Sequence, residues 1–185
     1  MKALLLAIAM LLPGVTHADE ATWNLLKRGG QVVLVRHAST TPGVGDPEGM
    51  KLDDCSTQRN LSDEGRAEAK RLGDALRAHN IVVGEVLSSP WCRCRETARI
   101  AVGREGRTEA ALGNLFGRRE QEAKQVAQLK PLVARVPAQG NTIMFTHGST
   151  VYALTGVQPA QGEMVVLTPQ AGGGFKLAGR ITVGN

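Results

Sequence analysis

Aromatic side chains are scarce: the 185 residues include three phenylalanines, two tryptophans and one tyrosine. Lysine and arginine do not gather into a block, and the net charge of +5 is modest. A nucleic-acid surface, which needs a basic patch and stacking rings, is therefore not expected. Past residue 18 no stretch approaches the roughly 18 to 20 consecutive apolar residues of a membrane helix, which excludes a span in that part. Internal repeats, low-complexity tracts and linkers are also lacking, which argues against a second domain. Histidine and cysteine never fall at four-ligand spacing, so a structural zinc site is not expected.

The first 18 residues carry one lysine, Lys2, then the apolar run 3–12, then small residues at Thr16 and Ala18. This is the pattern of a secretory signal, with an uncleaved anchor as the alternative. Cleavage after Ala18 leaves residues 19–185, a length that suits one domain with its own core. The expected location is the periplasm or another exported compartment. A moderately basic exported protein is most simply read as one that handles anionic ligands. The three cysteines, Cys55, Cys92 and Cys94, then lie where a disulfide persists. Pairing Cys55 with either of the others ties two loops together, whereas pairing Cys92 with Cys94 is awkward on a helix.

Residues 31–35 form a short, continuously apolar, β-branched run, the pattern of a strand buried on both faces of a parallel sheet. A long loop rich in Gly, Pro, Thr and Asp comes next, through Arg59. Ser62 then caps a helix with Asp63 and Glu64 in its first turn and Ala69, Leu72 and Leu76 on one face, and Asn80 stops it. Residues 82–87 read as a second strand, with Ser89 and Pro90 set to cap and open a helix running to Ala101. Residues 103–117 read as loop. Residues 120–136 read as a helix with Val126, Leu129, Val133 and Val136 inward, kinked or divided at Pro131. Residues 141–146 are a third buried strand, leading through Gly148 to a short helix at 151–154. Residues 164–168 and 176–183 read as closing strands, one of them antiparallel at an edge. The alternation predicts an α/β fold: a single-domain three-layer sandwich, with a mainly parallel sheet and helices on both faces.

Ligands of such sheets sit beyond the carboxyl ends of the strands. Three strand ends deliver Arg36-His37, the turn from Ser88 to Arg93, and His147-Gly148. Hydrolysis of a phosphate monoester without a metal needs a nucleophile, donors around the equatorial oxygens and an acid for the departing alkoxide. His37 is the candidate nucleophile, because an imidazole is largely neutral near pH 7 and can attack through one nitrogen while the other is held. Arg36 and Arg93 offer planar forks to phosphoryl oxygens. His147, protonated beside the dianion, adds a further donor. Singly, each is an ordinary polar loop residue; together, in this order and at strand ends, they point to phosphoryl chemistry.

These motifs resemble those of the histidine phosphatase superfamily, also called the phosphoglycerate mutase-like family. Val33-Leu34-Val35-Arg36-His37-Ala38 is similar to its opening Arg-His-Gly signature, and Leu61-Ser62-Asp63-Glu64-Gly65 to its Leu-Thr-x-x-Gly helix start. Leu87-Ser88-Ser89-Pro90-Trp91-Cys92-Arg93 with Thr97-Ala98 resembles its Ser-Ser-Pro block, and Phe145-Thr146-His147-Gly148 its last motif. The resemblance implies that His37 becomes phosphorylated, that Arg36, Arg93 and His147 complete the phosphate pocket, and that no metal or organic cofactor is required. The implied partner is a small phosphorylated substrate.

A small exported member with an Arg-His-Ala signature is similar to the group that includes the lipopolysaccharide-core heptose phosphate phosphatase. An envelope sugar phosphate is the substrate this suggests. The alternatives are a phosphohistidine phosphatase and a phosphate-binding module with little turnover. Two departures stand out. Ala38 replaces the usual glycine, which the backbone tolerates if its φ is negative. Many members also carry an acidic residue before a mid-chain Phe-Gly pair, but residues 112–117 read Leu-Gly-Asn-Leu-Phe-Gly, without a carboxylate. Glu163 is the candidate leaving-group acid, ahead of Asp53, Asp54 and Glu120. Arg59, on the long loop, is the candidate contact for an anionic group of the substrate.

Overall fold

The computed structural model describes residues 17–184. The expected signal segment, residues 1–18, lies outside the described residues except for His17 and Ala18, which open the first helix. In chain order the elements are α1 (His17–Arg28), β1 (Val32–Arg36), α2 (Asp63–Ala78), β2 (Val83–Ser88), α3 (Cys92–Val102) and β3 (Arg107–Thr108). They continue as α4 (Arg119–Val133), β4 (Asn141–Thr146), α5 (Gly148–Thr155), β5 (Met164–Pro169) and β6 (Phe175–Ile181). One sheet runs β3-β2-β4-β1-β5-β6. The strands from β3 to β1 pair in parallel, β5 pairs antiparallel with β1, and β6 antiparallel with β5.

The period of two along each buried strand divides the core into two layers. Val33, Val35, Ile143, Phe145, Met164 and Val166 face Trp23 and Leu26 of α1, Leu72 and Leu76 of α2, and Ala98 of α3. Val32, Leu34, Met144, Val165 and Leu167 face Leu129 and Val133 of α4 and Val151 of α5. Helices therefore cover both faces, and the three-layer sandwich read from the sequence is the fold found. Glycines let the first layer close tightly. A Cβ on Gly73 of α2 would come within 2.3 Å of the Ala101 carbonyl oxygen, so the backbones of α2 and α3 touch there.

Several boundaries differ from expectation. Helix α1 was unforeseen, although Asp19 and Glu20 in its first turn, Lys27 and Arg28 in its last, and left-handed Gly29 and Gly30 after it are ordinary start and stop signals. Pro131 falls in the last turn of α4 and does not divide it, because a helix about to end has few hydrogen bonds left to lose. Val136 lies beyond that helix and is exposed, and Val126 is half-buried. A short strand, β3, and a turn of 3₁₀ helix at Ala110–Leu112 occupy the segment expected to be loop. The antiparallel partner of β1 is β5, inside the sheet, and the edge strand is β6. Ser62 caps α2 as expected, accepting from the Gly65 amide at 3.1 Å, and Asn80 comes after that helix in the left-handed region at φ 55°. Ser89 does not cap α3, whose N-cap is Trp91.

Candidate active site

Strands β1, β2 and β4 end side by side, and main-chain bonds fix the residues just past each end. The His37 amide donates to the Thr146 carbonyl at 2.9 Å, and the Ser89 amide to the Phe145 carbonyl at 2.9 Å. His37 and His147 consequently meet with ring centroids 5.3 Å apart and planes at 68°. Arg36, His37, Arg59, Arg93 and His147 all line one cavity of about 410 Å³, with Asn114, Ser149 and Gln158 on its wall and Val44 and Phe116 exposed at its rim. Five residues that the sequence singled out in distant parts of the chain are thus brought together. Glu163 is not among the lining residues.

The nitrogen roles are set by the partners. His37 Nδ1 lies 2.9 Å from the Ala38 carbonyl oxygen, which can only accept, so Nδ1 carries the hydrogen and Nε2 keeps its lone pair. Ala38 takes the place of glycine without strain: its φ is not positive, and its amide donates to Thr97 Oγ1 at 3.2 Å. His147 Nε2 meets Ser89 Oγ at 2.8 Å, and Ser89 Oγ also receives the Trp91 amide at 3.4 Å. When the hydroxyl hydrogen of Ser89 points to Nε2, the hydrogen of His147 sits on Nδ1, the nitrogen without a protein partner. Burial, then the Arg93 charge, pushes His37 down to about 3. Burial, then His37 and the charges of Arg93, Arg36 and Arg118, drives His147 well below the usual histidine value. Both rings are therefore neutral in the free protein, and His147 need not be protonated to donate.

Among the described residues, four of the side chains that line this cavity carry a buried nitrogen without a hydrogen-bond partner: Arg36 Nε, Arg59 Nε, Arg93 Nε and His147 Nδ1. An unmatched buried donor costs about 1–3 kcal/mol, so four at one place mark a site built for something with acceptors on several sides. Gly148 lets the Arg36 side chain lie close against the start of α5, since a Cβ there would lie 3.2 Å from Arg36 Nε.

The long loop closes over this cluster through Asp46, a residue that no sequence motif marks. Its carboxylate bridges Arg93, with Nη1 to Oδ1 at 2.6 Å and Nη2 to Oδ2 at 3.1 Å, and accepts from the Trp91 indole at 3.0 Å and the Arg59 amide at 3.2 Å. Burial raises the Asp46 carboxyl, but hydrogen bonds from Arg93, Trp91 and Arg59 more than reverse this and hold it ionised. It is therefore unsuited to be a proton donor. Arg59 reaches the cavity with its Nη1 on the Gly43 carbonyl.

The expected acid is elsewhere. Glu163 is buried, but both carboxylate oxygens face Arg180, and Oε2 also accepts the Ala160 amide at 2.6 Å. Its backbone reaches the site, accepting from the Arg36 amide at 3.1 Å, while the side chain turns to the outer strand β6. Asp53, Asp54 and Glu120 are exposed and outside the lining. Among the described residues, no carboxylate lines the cavity. Among the described residues, no group of three or more His, Cys, Asp and Glu side chains is placed to hold a metal ion.

Behind the pocket, Cys55 and Cys92 form a disulfide, and Cys94 is a buried free thiol. The bond ties the long loop to the start of α3, one residue before Arg93.

The family model of the histidine phosphatase superfamily, branch 1, matches residues 32–129. Curated protein sequences give no match. Among solved structures, the protein histidine phosphatase SixA complexed with tungstate superposes at a TM-score of 0.55 and 15% identity, over 82% of this chain and 96% of that one. The mycobacterial glucosyl-3-phosphoglycerate phosphatase gives a TM-score of 0.57 and 17% identity over 80% and 96%. Phosphoserine phosphatase from Entamoeba histolytica, in complex with 3-phosphoglyceric acid, gives 0.58 and 13% over 81% and 95%. At these identities the likeness is one of fold.

Proposed function

Because the chain belongs to branch 1 of the histidine phosphatase superfamily, we propose that it is an exported phosphomonoesterase working through a phosphohistidine on His37. The observation that carries this reading is that Arg36, His37, Arg59, Arg93 and His147 come from separate segments to line one cavity, four of them with a buried nitrogen that has no protein partner. A phosphoryl group supplies several acceptor oxygens and negative charge at one point, which is what such a set lacks. In the reading, Nε2 of His37 attacks phosphorus, a P–N bond forms and the leaving oxygen departs with the bonding pair, taking its proton from water because, among the described residues, no carboxylic acid lines the cavity. The Nδ1 hydrogen bond to Ala38 steadies the cation that the ring becomes. Arg36, Arg93 and the Nδ1 hydrogen of His147 hold the equatorial oxygens as charge builds. Water then attacks the phosphohistidine, returning neutral His37 and inorganic phosphate. No step calls on a metal ion.

Export is supported by the composition of residues 1–18 and by a disulfide that persists in oxidising compartments. An envelope sugar phosphate suits the polar wall of Asn114, Ser149 and Gln158. A second reading, a phosphohistidine phosphatase, is favoured by the absence of a carboxylate from the lining, since an imidazole leaves phosphorus without the strong acid that an alkoxide demands.

The test is hydrolysis of an aryl phosphate, whose leaving group hardly needs a proton, by residues 19–185 in the presence of a chelator. The expected outcome is phosphate release with an acid-labile, alkali-stable phosphoenzyme, both lost in His37→Ala. Phosphate binding without turnover would instead mark a binding module, and activity restored only by a divalent cation would end the mechanism above.

A further inference from the structure

We infer that Asp46 is a positioning residue for Arg93: it clamps one edge of the guanidinium and leaves the other edge to the phosphoryl group. The inference rests on the phosphatase reading of the pocket and adds a member to its machinery.

A guanidinium presents two usable forks. Asp46 occupies the end-on fork, between Nη1 and Nη2, and the Arg59 carbonyl accepts from Nη1 at 3.3 Å. What remains is the side-on fork, Nε–H with the second proton of Nη2, and Nε is one of the buried donors without a partner. The carboxylate and an arriving phosphate therefore do not compete for the same protons. Nor is the carboxylate free to swing away, because the Trp91 indole and the Arg59 amide hold its two oxygens from other directions. The Arg93 side chain is 1% exposed and that of Asp46 10%, so the pair is held in a site with little water to loosen it. Arg36, Arg59 and Arg93 also crowd one anion-sized space, and Asp46 offsets part of their mutual repulsion before any ligand arrives.

A carboxylate acting this way affects phosphate chiefly through Arg93, and a double-mutant cycle separates that coupling from its contacts with Arg59 and Trp91. The full mature chain, Asp46→Ala, Asp46→Asn, Arg93→Ala and the two doubles are compared in three measurements. These are the Kd for inorganic phosphate by calorimetry, kcat and KM for an aryl phosphate, and Tm. Asp46→Ala should weaken phosphate binding and kcat/KM by about 10- to 100-fold, the usual cost of losing a group that orients a ligand-binding side chain. Asp46→Asn, which keeps one acceptor oxygen, should fall between it and wild type. In the Arg93→Ala background, removing Asp46 should change phosphate binding by no more than about twofold. Tighter phosphate binding in Asp46→Ala would make the carboxylate a competitor and overturn the inference. An equal loss with and without Arg93 would do so too, by showing a general structural role. Should Asp46→Ala fail to fold, the isosteric Asp46→Asn cycle decides. A wild type that binds phosphate without turnover defeats the proposed activity but leaves the binding cycle to judge Asp46; one that binds no phosphate overturns both.

Discussion

His37 and His147 are neutral because the pocket is buried and rimmed by guanidinium groups, and that neutrality has a thermodynamic sign. Each ring titrates below its unfolded value of about 6.5, so between there and the folded value the unfolded chain binds protons that the native state refuses. The contribution of His37 is fully present above about pH 6.5 and is lost as the pH falls toward 3, and that of His147 has the same sign. The slope is up to about 1.4 kcal/mol per pH unit for each histidine. Urea unfolding of residues 19–185 at pH 7 and pH 5, in a buffer without phosphate, should show lower stability at pH 5, with a smaller loss in His37→Gln. Equal stability at the two values would mean that the rings are accessible to protons and the pocket is not closed as described. Inorganic phosphate should narrow the gap, because a bound dianion compensates the same guanidinium charges that disfavour imidazolium. At this scale, too, the sequence was most informative: Arg36, His37, Arg93 and His147 could be read from their joint placement at strand ends or the first turn after one, together with the motifs around them. Asp46 was not legible, because its role exists only when a loop closes on an arginine 47 residues away, and no period or motif announces that. Glu163 was placed near the site by its backbone, but the direction of its side chain depended on Arg180 across the β5–β6 pair.

Among the elements, β1 and β4 were read most easily, since a buried parallel strand shows itself as an unbroken apolar run. Helix α1 was lost because its buried residues, Thr22, Trp23 and Leu26, are few and sit directly after a segment read as a signal. The closest element contact near the site is between α2 and the chain leaving β1. A Cβ on Gly65 would lie 1.8 Å from the Ser39 carbonyl oxygen, and that same carbonyl accepts the Ser62 amide at 3.1 Å. Ser39 is two residues from His37, and its amide and hydroxyl are both held by Glu68 of α2, at 2.8 and 2.7 Å. Gly65→Ala should therefore cost about 1–3 kcal/mol of stability by forcing the backbones apart. It should also lower kcat on an aryl phosphate more than it raises KM, because the shift reaches the nucleophile before it reaches Arg59. Ser62→Ala, which removes the cap and a long hydroxyl contact to the Ser39 carbonyl at 3.4 Å but leaves the backbones where they are, should cost about 1 kcal/mol and leave kcat near wild type. If both variants lose stability alike and neither loses kcat, the helix start does not position His37.

For the whole molecule, the question is what keeps the long loop over residues 38–59 in place, since the loop contributes few apolar side chains and yet carries both Asp46 and Arg59. The disulfide does so at one point. Cys55 is exposed and Cys92 buried, so the bond runs from the loop surface into the start of α3 and closes 37 residues of chain. Chain-entropy arguments give such a loop about 2–4 kcal/mol of stabilisation through the unfolded state. Cys94, pushed up to about 12 by burial, stays a thiol beside His147 and does not exchange with the pair. The export proposed above and this bond would go together: a chain delivered to an oxidising compartment gains the bond, and the proposed cleavage after Ala18 would keep Thr22, Leu26 and Trp23, which stacks on His79 with ring centroids 3.9 Å apart. Mass spectrometry of the chain from fractionated cells should find an exported form beginning at Asp19, with Cys55 linked to Cys92 and one alkylatable thiol after unfolding. Reductant should then lower its unfolding free energy by about 2–4 kcal/mol and its activity as well, because loosening the loop frees the Arg93 clamp. A retained form that keeps residues 1–18 and three free thiols would refute the export half of this prediction. Identical activity with and without reductant would show that the fold holds the loop without help.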